Sequence, residues 1–254
     1  MERVAFVIPT LNEASSIGKV LDRIPVGELR EEGYDTSVYV IDGLSVDTTR
    51  DIAAEKGAQL ILEKRKGKGI ALQKAFESVT ADYVIVSDGD NTYPLDIAPE
   101  IVRLLQTNDV VIGSRLKGSI EPGAMTRLNV AGNMLLTLLA RSLFGINISD
   151  VCTGLWGCRG DAIQRLELDA RGFEIEADMF AECAFKKLRI AEIPISYGPR
   201  VDRAKLASFR DGLKIGGHLI RKWYLNKALR RPENKATTSK AGFTGDRDTG
   251  EARS

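Results

Sequence analysis

Two carboxylates separated by one glycine, Asp88-Gly89-Asp90, follow directly on the apolar run Tyr83-Val84-Ile85-Val86 and precede Pro94. A β-branched run of this kind reads as a strand buried on both faces, and Pro94 is expected to open a helix at its first turn. The acids then sit at the carboxyl end of a strand, where open α/β sheets bind their ligands. Gly89 is expected to turn the backbone sharply, so that both acids face one point. Such a pair suits a hard divalent cation that also holds a phosphate oxygen, as Mg²⁺ does with one or two protein carboxylates. A solvated turn with Asp as a helix cap also explains an isolated Asp-Gly-Asp. The rest of the chain separates the two.

Other strands end in the same way. Val4–Ile8 runs into Pro9-Thr10-Leu11-Asn12-Glu13, and Val38–Ile41 into Asp42. Ala58–Leu62 precedes the loop Lys64-Arg-Lys-Gly-Lys-Gly69, and Asp109-Val-Val-Ile-Gly-Ser-Arg115 ends in a cation. Between them, helical patterns run from Ser15 or Ser16 to about Ile24, to about Lys56, over Ile70–Ser78 and to about Gln106. Strand-helix alternation at this spacing gives an α/β fold with a mostly parallel central sheet and helices on both faces. Polar strand ends at Glu13, Asp42, Lys66 to Lys68, Asp88, Asp90 and Arg115 would then share one rim. One acidic turn is bland; five polar strand ends make a site. No Gly-x-Gly-x-x-Gly follows the first strand, and the Lys68 loop does not match a Walker loop.

The second half reads differently. Arg127 to Phe144 is an apolar helix whose Leu128, Leu135, Leu138, Leu139 and Leu143 are expected in the core. Asp150 to Arg159 is a glycine-rich turn and strand. Gly172-Phe-Glu174-Ile-Glu176-Ala-Asp178 opens a helix to about Lys187, with acids either serving the helix dipole or a site. Arg189 to Tyr197 is a strand. Phe209 to Leu229 is a possible helix with Phe209, Leu213, Ile220 and Trp223 or Tyr224 on one face, weakened by Gly212, Gly216 and Gly217. Residues 232–254 read as a disordered tail.

Bulk properties exclude several classes. The net charge is +1 over 254 residues, so the chain as a whole is no nucleic-acid binder. Residues 200–231 nonetheless carry ten Lys/Arg against two Asp, a net of +8. Three cysteines without metal-ligand spacing point to free thiols in a reducing, cytoplasmic compartment. No signal peptide or membrane-spanning segment is evident. The single histidine, His218, lacks an orienting acid nearby in sequence except Asp211, which argues against a catalytic triad.

Taken together, Pro9-Thr-Leu-Asn-Glu13, Asp42-Gly-Leu-Ser-Val-Asp47, Gly67-Lys-Gly69, Asp88-Gly-Asp90 and Gly113-Ser-Arg115 resemble family 2 glycosyltransferases of the GT-A (Rossmann-like) nucleotide-sugar-binding fold. Gly132-Asn133, Ser149-Asp150-Val-Cys-Thr153-Gly154, Gly172-Phe-Glu-Ile-Glu176 and Ile-Pro194-Ile-Ser-Tyr197 resemble the branch that makes dolichyl- or polyprenyl-phosphate sugars. The resemblance implies a catalytic domain over residues 1–231, with a nucleotide-sugar half to about 115, an acceptor half over 116–210 and a basic amphipathic segment over 208–231. It implies that Pro9, Leu11, Glu13 and Asp42 hold the base and ribose, and that Lys68 adds charge near the diphosphate. Asp88 and Asp90 would bind Mg²⁺ or Mn²⁺; Thr92 replaces a frequent amide ligand, which leaves water or Asn91 for that role. The acceptor would be a lipid monophosphate met by Arg115, Arg127, Arg200 and Lys205. Its oxygen is already ionised, so an inverting transfer needs no strong base. The basic segment would lie on an anionic cytoplasmic membrane face or pack its stripe on the core. A soluble acceptor, or a non-catalytic binding module, are the alternatives.

Overall fold

The computed structural model describes residues 1–201 and 208–229, with only the backbone of Ser208, Phe209 and Leu229. Lys205 and residues 232–254 lie outside the described residues. The order is β1 (Glu2–Thr10), α1 (Ile17–Asp22), α2 (Val26–Glu31), β2 (Tyr34–Asp42), α3 (Thr49–Glu55), β3 (Gln59–Leu62), α4 (Lys68–Ser78), β4 (Tyr83–Val86) and α5 (Ala98–Leu105). Then follow β5 (Val110–Ile120), α6 (Arg127–Phe144), β6 (Trp156–Arg159), α7 (Gly160–Ile163), α8 (Ile175–Phe185), β7 (Ile190–Tyr197) and α9 (Ser208–Leu229). The strands form one sheet in the order β3-β2-β1-β4-β6-β5-β7. All pairings are parallel except those of β6, which runs antiparallel to both β4 and β5.

The apolar runs of β1 and β4 are buried along their lengths because each face of the sheet carries a core. Val7, Val84, Val86 and Ile112 pack with α4, α6, α8 and α9 on one face. Phe6, Ile8, Ile85 and Val111 pack with α1, α2 and α5 on the other. Parallel register, with Val7 opposite Val86 and Thr10 opposite Asp42, brings the carboxyl ends of β1, β2 and β4 to one rim.

The structure corrects four sequence expectations. The helix after the acidic turn begins at Ala98 with Pro99 in its first turn, while Pro94 is buried in the preceding loop. Arg115 does not end a strand: β5 continues to Ile120, and Arg115 lies where the β5–β7 register shifts, between Ser114 and Ser119. On α6, Leu128, Leu135 and Leu138 are exposed, whereas Asn133, Thr137 and Ala140 face inward. The inward face is polar because it serves the loop beneath it: Asn133 donates to Asp150 (3.3 Å) and Thr137 accepts from the Val151 amide (3.1 Å). On α9, Leu213, Ile220 and Tyr224 are likewise exposed, while Ile215, His218, Leu219 and Lys222 are buried. Gly216 does not break this helix. It is the crossing point with α6, where an added Cβ would lie 3.5 Å from Leu136.

Asp178 fastens α9 to α8. Its Oδ2 accepts from the amides of Asp169 (2.8 Å) and Ala170 (2.9 Å), and its Oδ1 meets Lys222 Nζ (2.8 Å) and His218 Nε2 (3.1 Å). Burial disfavours the charge, but His218, Lys222 and the Ala170 amide overcome it and hold the Asp178 pKa at about 2. A depressed carboxylate pKa stabilises the fold above its ordinary range and loses that contribution as pH falls from about 4 toward 2. The contribution is on the order of 2 kcal/mol. Asp178→Asn should therefore lower the denaturation midpoint at pH 7 and flatten its dependence on pH below 4, as measured by chemical denaturation.

Candidate active site

The first wall of the rim consists of two interlocked loops. Asn12, in the left-handed region (φ 54°), donates its amide to Ser45 Oγ (2.8 Å) and accepts from the Val46 amide (2.9 Å). Glu13 and Ala14 donate to Thr49 Oγ1 (2.8 Å) and Asp47 Oδ2 (3.2 Å). Asp42 is wholly buried and accepts from the Ser45 amide (2.8 Å), Ser45 Oγ (2.5 Å) and Thr10 Oγ1 (3.2 Å). Its geometry makes it the anchor of the loop that follows. Pro9 lies within β1 opposite Ile41, while Leu11 and Leu44 are 41% and 42% exposed at the edge. Leu44 also holds a left-handed backbone (φ 66°), which costs of order 1 kcal/mol for a non-glycine residue.

In the acidic turn the sharp reversal is made by Asn91 (φ 61°), not by Gly89, which has no left-handed φ. Gly89 is required for space. A Cβ there would lie 3.0 Å from the Thr10 methyl and 3.5 Å from Glu13 Cγ. Ser16 Oγ donates to the Gly89 carbonyl (2.7 Å) and fixes the turn against α1. The amide and hydroxyl of Thr92 donate to Asp90 Oδ1 (3.2 and 2.7 Å), so Thr92 orients the acid. Asn91 Oδ1 is buried with no hydrogen-bond partner among the described residues.

Two cations meet these acids. Lys68 pairs with Asp88 Oδ1 and, at 2.5 Å, with Glu176 Oε1. Arg200 Nε lies 3.2 Å from Asp90 Oδ2. Burial raises the Asp90 pKa and the Asp88 charge raises it further, against Arg200 and Thr92. Burial works the same way on Asp88, but there Lys68 prevails and the pKa falls. The position of Lys68 is built by its two glycines. Gly67 (φ 136°) and Gly69 pass under the 170–172 backbone so closely that added Cβ atoms would lie 2.1 Å from the Arg171 carbonyl oxygen and 2.2 Å from that of Ala170. The Gly69 amide donates to the Gly172 carbonyl (3.2 Å) and Gln73 to that of Ala170 (2.6 Å).

The antiparallel β6 brings residues 153–155 to the same rim. The Gly154 amide donates to Tyr93 Oη (2.7 Å), and a Cβ on Gly154 would lie 2.7 Å from Asp88 Oδ2. Of the two readings left open for the acids of residues 174–178, the site reading holds for Glu176, which meets Lys68, and Gly154 stands against Asp88. Arg115 is buried beside the rim in a bidentate pair with Asp150 (Nε–Oδ2 2.7 Å, Nη2–Oδ1 2.8 Å), 5.2 Å from the centre of the Tyr197 ring. That pair commits both Asp150 oxygens and anchors the 149–154 loop. Arg127 is exposed at the start of α6.

The residues fit a hard divalent cation by their chemistry. Asp88 and Asp90 offer carboxylate oxygens, and Asn91 Oδ1 is a neutral oxygen lacking a partner next to them. A second oxygen-and-nitrogen cluster, Asp169, Asp178 and His218, has ligand atoms within 4.8 Å of one another. There Asp178 already holds the fold together, with Oδ2 on the Asp169 and Ala170 amides and Oδ1 2.8 Å from Lys222 Nζ.

Comparison with known proteins places the chain in a family. The profile of the family described as Glycosyl transferase family 2 matches residues 5–167. The low-salt glycan biosynthesis hexosyltransferase Agl6 of Haloferax volcanii is 36% identical over 82% of this chain, which spans only 51% of that protein. The dolichyl-phosphate hexose transferase of the same organism is 33% identical, over 86% of this chain and 92% of its own length. In fold, the chain matches glucosyl-3-phosphoglycerate synthase of Mycobacterium tuberculosis, crystallised with Mn²⁺, UDP-glucose and phosphoglyceric acid. The TM-score is 0.66 at 24% identity, covering 89% of this chain and 80% of that one. The sheet and the helices around it are therefore those of the GT-A fold, and the chain belongs to glycosyltransferase family 2.

Proposed function

We propose that this chain is an inverting, metal-dependent transferase that moves a hexose or N-acetylhexosamine from a UDP- or GDP-sugar to a polyprenyl or dolichyl phosphate at the cytoplasmic membrane face. The observation that carries the reading is the acid pair of half-buried Asp88 and buried Asp90, matched by Lys68 and Arg200 at the end of β4. Asp88, Asp90 and Asn91 would hold Mg²⁺ or Mn²⁺, which supplies Lewis acidity toward the departing nucleoside diphosphate. The loops of Pro9, Leu11, Glu13 and Asp42 form the wall suited to base and ribose, with Leu11 and Leu44 offering apolar surface.

In the transfer, an acceptor phosphate oxygen attacks the anomeric carbon as the bond to the diphosphate oxygen breaks, and the electron pair leaves with the diphosphate. The attacking oxygen is ionised at neutral pH, so no proton need be removed. This suits a site whose side chains are acids, cations and hydroxyls without a histidine. Arg200, and with it Arg127 and Lys205, would steer and neutralise the acceptor phosphate by charge-assisted hydrogen bonds. Arg115 would act chiefly by holding Asp150 and the loop beside Asp88. Lys68 would balance the leaving charge, which is catalysis by preorganised electrostatics.

The lipid half of the proposal has its own support. Leu128, Met134, Leu135 and Leu138 on α6 and Leu213, Ile220, Tyr224 and Leu225 on α9 are all exposed, on two helices packed against each other. The stripe that could have served the core faces outward, next to a strongly basic segment. No helix among the described residues is long and apolar enough to cross a membrane, so contact would be peripheral. Incubating the protein with radiolabelled UDP- and GDP-sugars, polyprenyl phosphate and Mn²⁺ should move label into the organic phase. The protein should also sediment with anionic liposomes at low salt, and Leu135→Glu with Leu138→Glu should abolish sedimentation. Label transferred only to a water-soluble acceptor such as phosphoglycerate, the acceptor class of the fold neighbour, would replace the lipid reading.

A further inference from the structure

Lys68 is 12% exposed and touches two acids of different standing. Asp88 belongs to the pair that suits the metal, whereas Glu176 belongs to α8. Arg200, 30% exposed, makes the equivalent contact with Asp90. A bare divalent cation entering here must take Asp88 from Lys68 and Asp90 from Arg200. It would leave two largely buried cations beside a third, and an uncompensated buried charge is strongly destabilising. Entry together with a diphosphate removes that obstacle, because the diphosphate oxygens are new partners for both side chains. Glu176 makes the exchange feasible, since Lys68 keeps one carboxylate while it releases the other. The 67–69 backbone is pinned under residues 170–172, so only the lysine side chain need move.

We propose that Lys68 and Arg200 are stand-in cations: they neutralise Asp88 and Asp90 until ligands bind, so that a divalent cation is admitted only together with a nucleoside diphosphate. The proposal rests on the acid pair being the metal site. Metal and nucleotide are then thermodynamically coupled, each raising the affinity for the other by the same factor.

Mn²⁺ binding to the purified protein, read from the electron paramagnetic resonance signal of free Mn²⁺, tests this without turnover. With UDP or GDP present, whichever the protein binds, wild-type affinity for Mn²⁺ should rise by about 30-fold or more, within the range of typical couplings. Lys68→Met should bind Mn²⁺ alone about 10-fold more tightly than wild type. Its nucleotide-induced gain should shrink by a similar factor. Arg200→Met should shift in the same direction, which keeps the test valid if one variant folds poorly. Lys66→Met removes an equal charge from the exposed loop just before Lys68 and should stay within about twofold of wild type. Lys68→Met and Arg200→Met binding Mn²⁺ alone no better than wild type would overturn the proposal while leaving the metal site in place. So would an equal gain in Lys66→Met, which would indicate a general charge effect. Absence of Mn²⁺ binding with either nucleotide would remove the metal reading and the proposal together.

Discussion

Asp90→Asn should lower turnover by on the order of 10³-fold or more, the scale of losing one preorganised electrostatic group at a reacting centre. The substitution is nearly isosteric. An amide oxygen can still accept from Thr92, whose amide and hydroxyl hold Asp90 Oδ1 at 3.2 and 2.7 Å. The negative charge is what disappears. Burial and the neighbouring Asp88 already push the Asp90 carboxyl toward its neutral form, so folding loses little when the charge is removed. The melting temperature should stay within about 4 °C of wild type, the shift that roughly 1 kcal/mol produces in a domain of this size. Metal-dependent nucleotide binding, followed by calorimetry with and without Mn²⁺, should be lost in parallel with turnover. An Asp90→Asn protein retaining a tenth of wild-type activity would mean that the acid is a structural cap and that the chemistry lies elsewhere.

Gly69→Ala should damage both folding and activity. Its Cβ would lie 2.2 Å from the Ala170 carbonyl oxygen and 2.9 Å from the Arg171 carbonyl carbon, both backbone atoms held in place by other bonds. The Ala170 carbonyl accepts from Gln73, and the Ala170 amide donates to Asp178, so the 170–172 segment cannot yield without disturbing α4 and α8. Overpacking of this kind costs about 3 kcal/mol. Activity should fall even where folding is retained, because relief of the clash displaces Lys68 from Asp88 and Glu176. Denaturant titration and turnover measured on the same preparation separate the two effects. Gly217→Ala, where an added Cβ meets nothing within 4 Å, is the control and should be neutral or slightly stabilising. Equal behaviour of the two variants would show that the crossing at Gly69 is not as tight as described.

Much of this architecture could be read from the chain because buried parallel strands appear as continuous apolar runs. Val4–Ile8, Val38–Ile41 and Tyr83–Val86 are such runs, and the residues after them are the rim. Direction was harder. Trp156–Arg159 is a strand of four residues with no alternation to orient it, and only its neighbours make it antiparallel. The apolar content of α6 was legible, but composition does not say which side of a helix meets the core. Asn133 and Thr137 take the inner side because the 149–151 loop needs hydrogen-bond partners there. The pairs that decide the site span long separations: Lys68 with Glu176, Arg115 with Asp150, Arg200 with Asp90. The members were visible as charged residues, but nothing local says which of them would pair. The Gly67-Lys68-Gly69 motif was visible as a loop, whereas its cause, a crossing strand of backbone from residues 170–172, is purely tertiary.

The central claim is that the cation and the diphosphate meet on Asp88 and Asp90. An anomalous difference map at the manganese edge, from crystals grown with Mn²⁺ and UDP or GDP, addresses it directly. The account predicts a peak bound by oxygens of both aspartates and of the diphosphate, with Lys68 drawn off Asp88. A manganese peak on Asp169, Asp178 and His218, with the nucleotide away from the β4 rim, would contradict it.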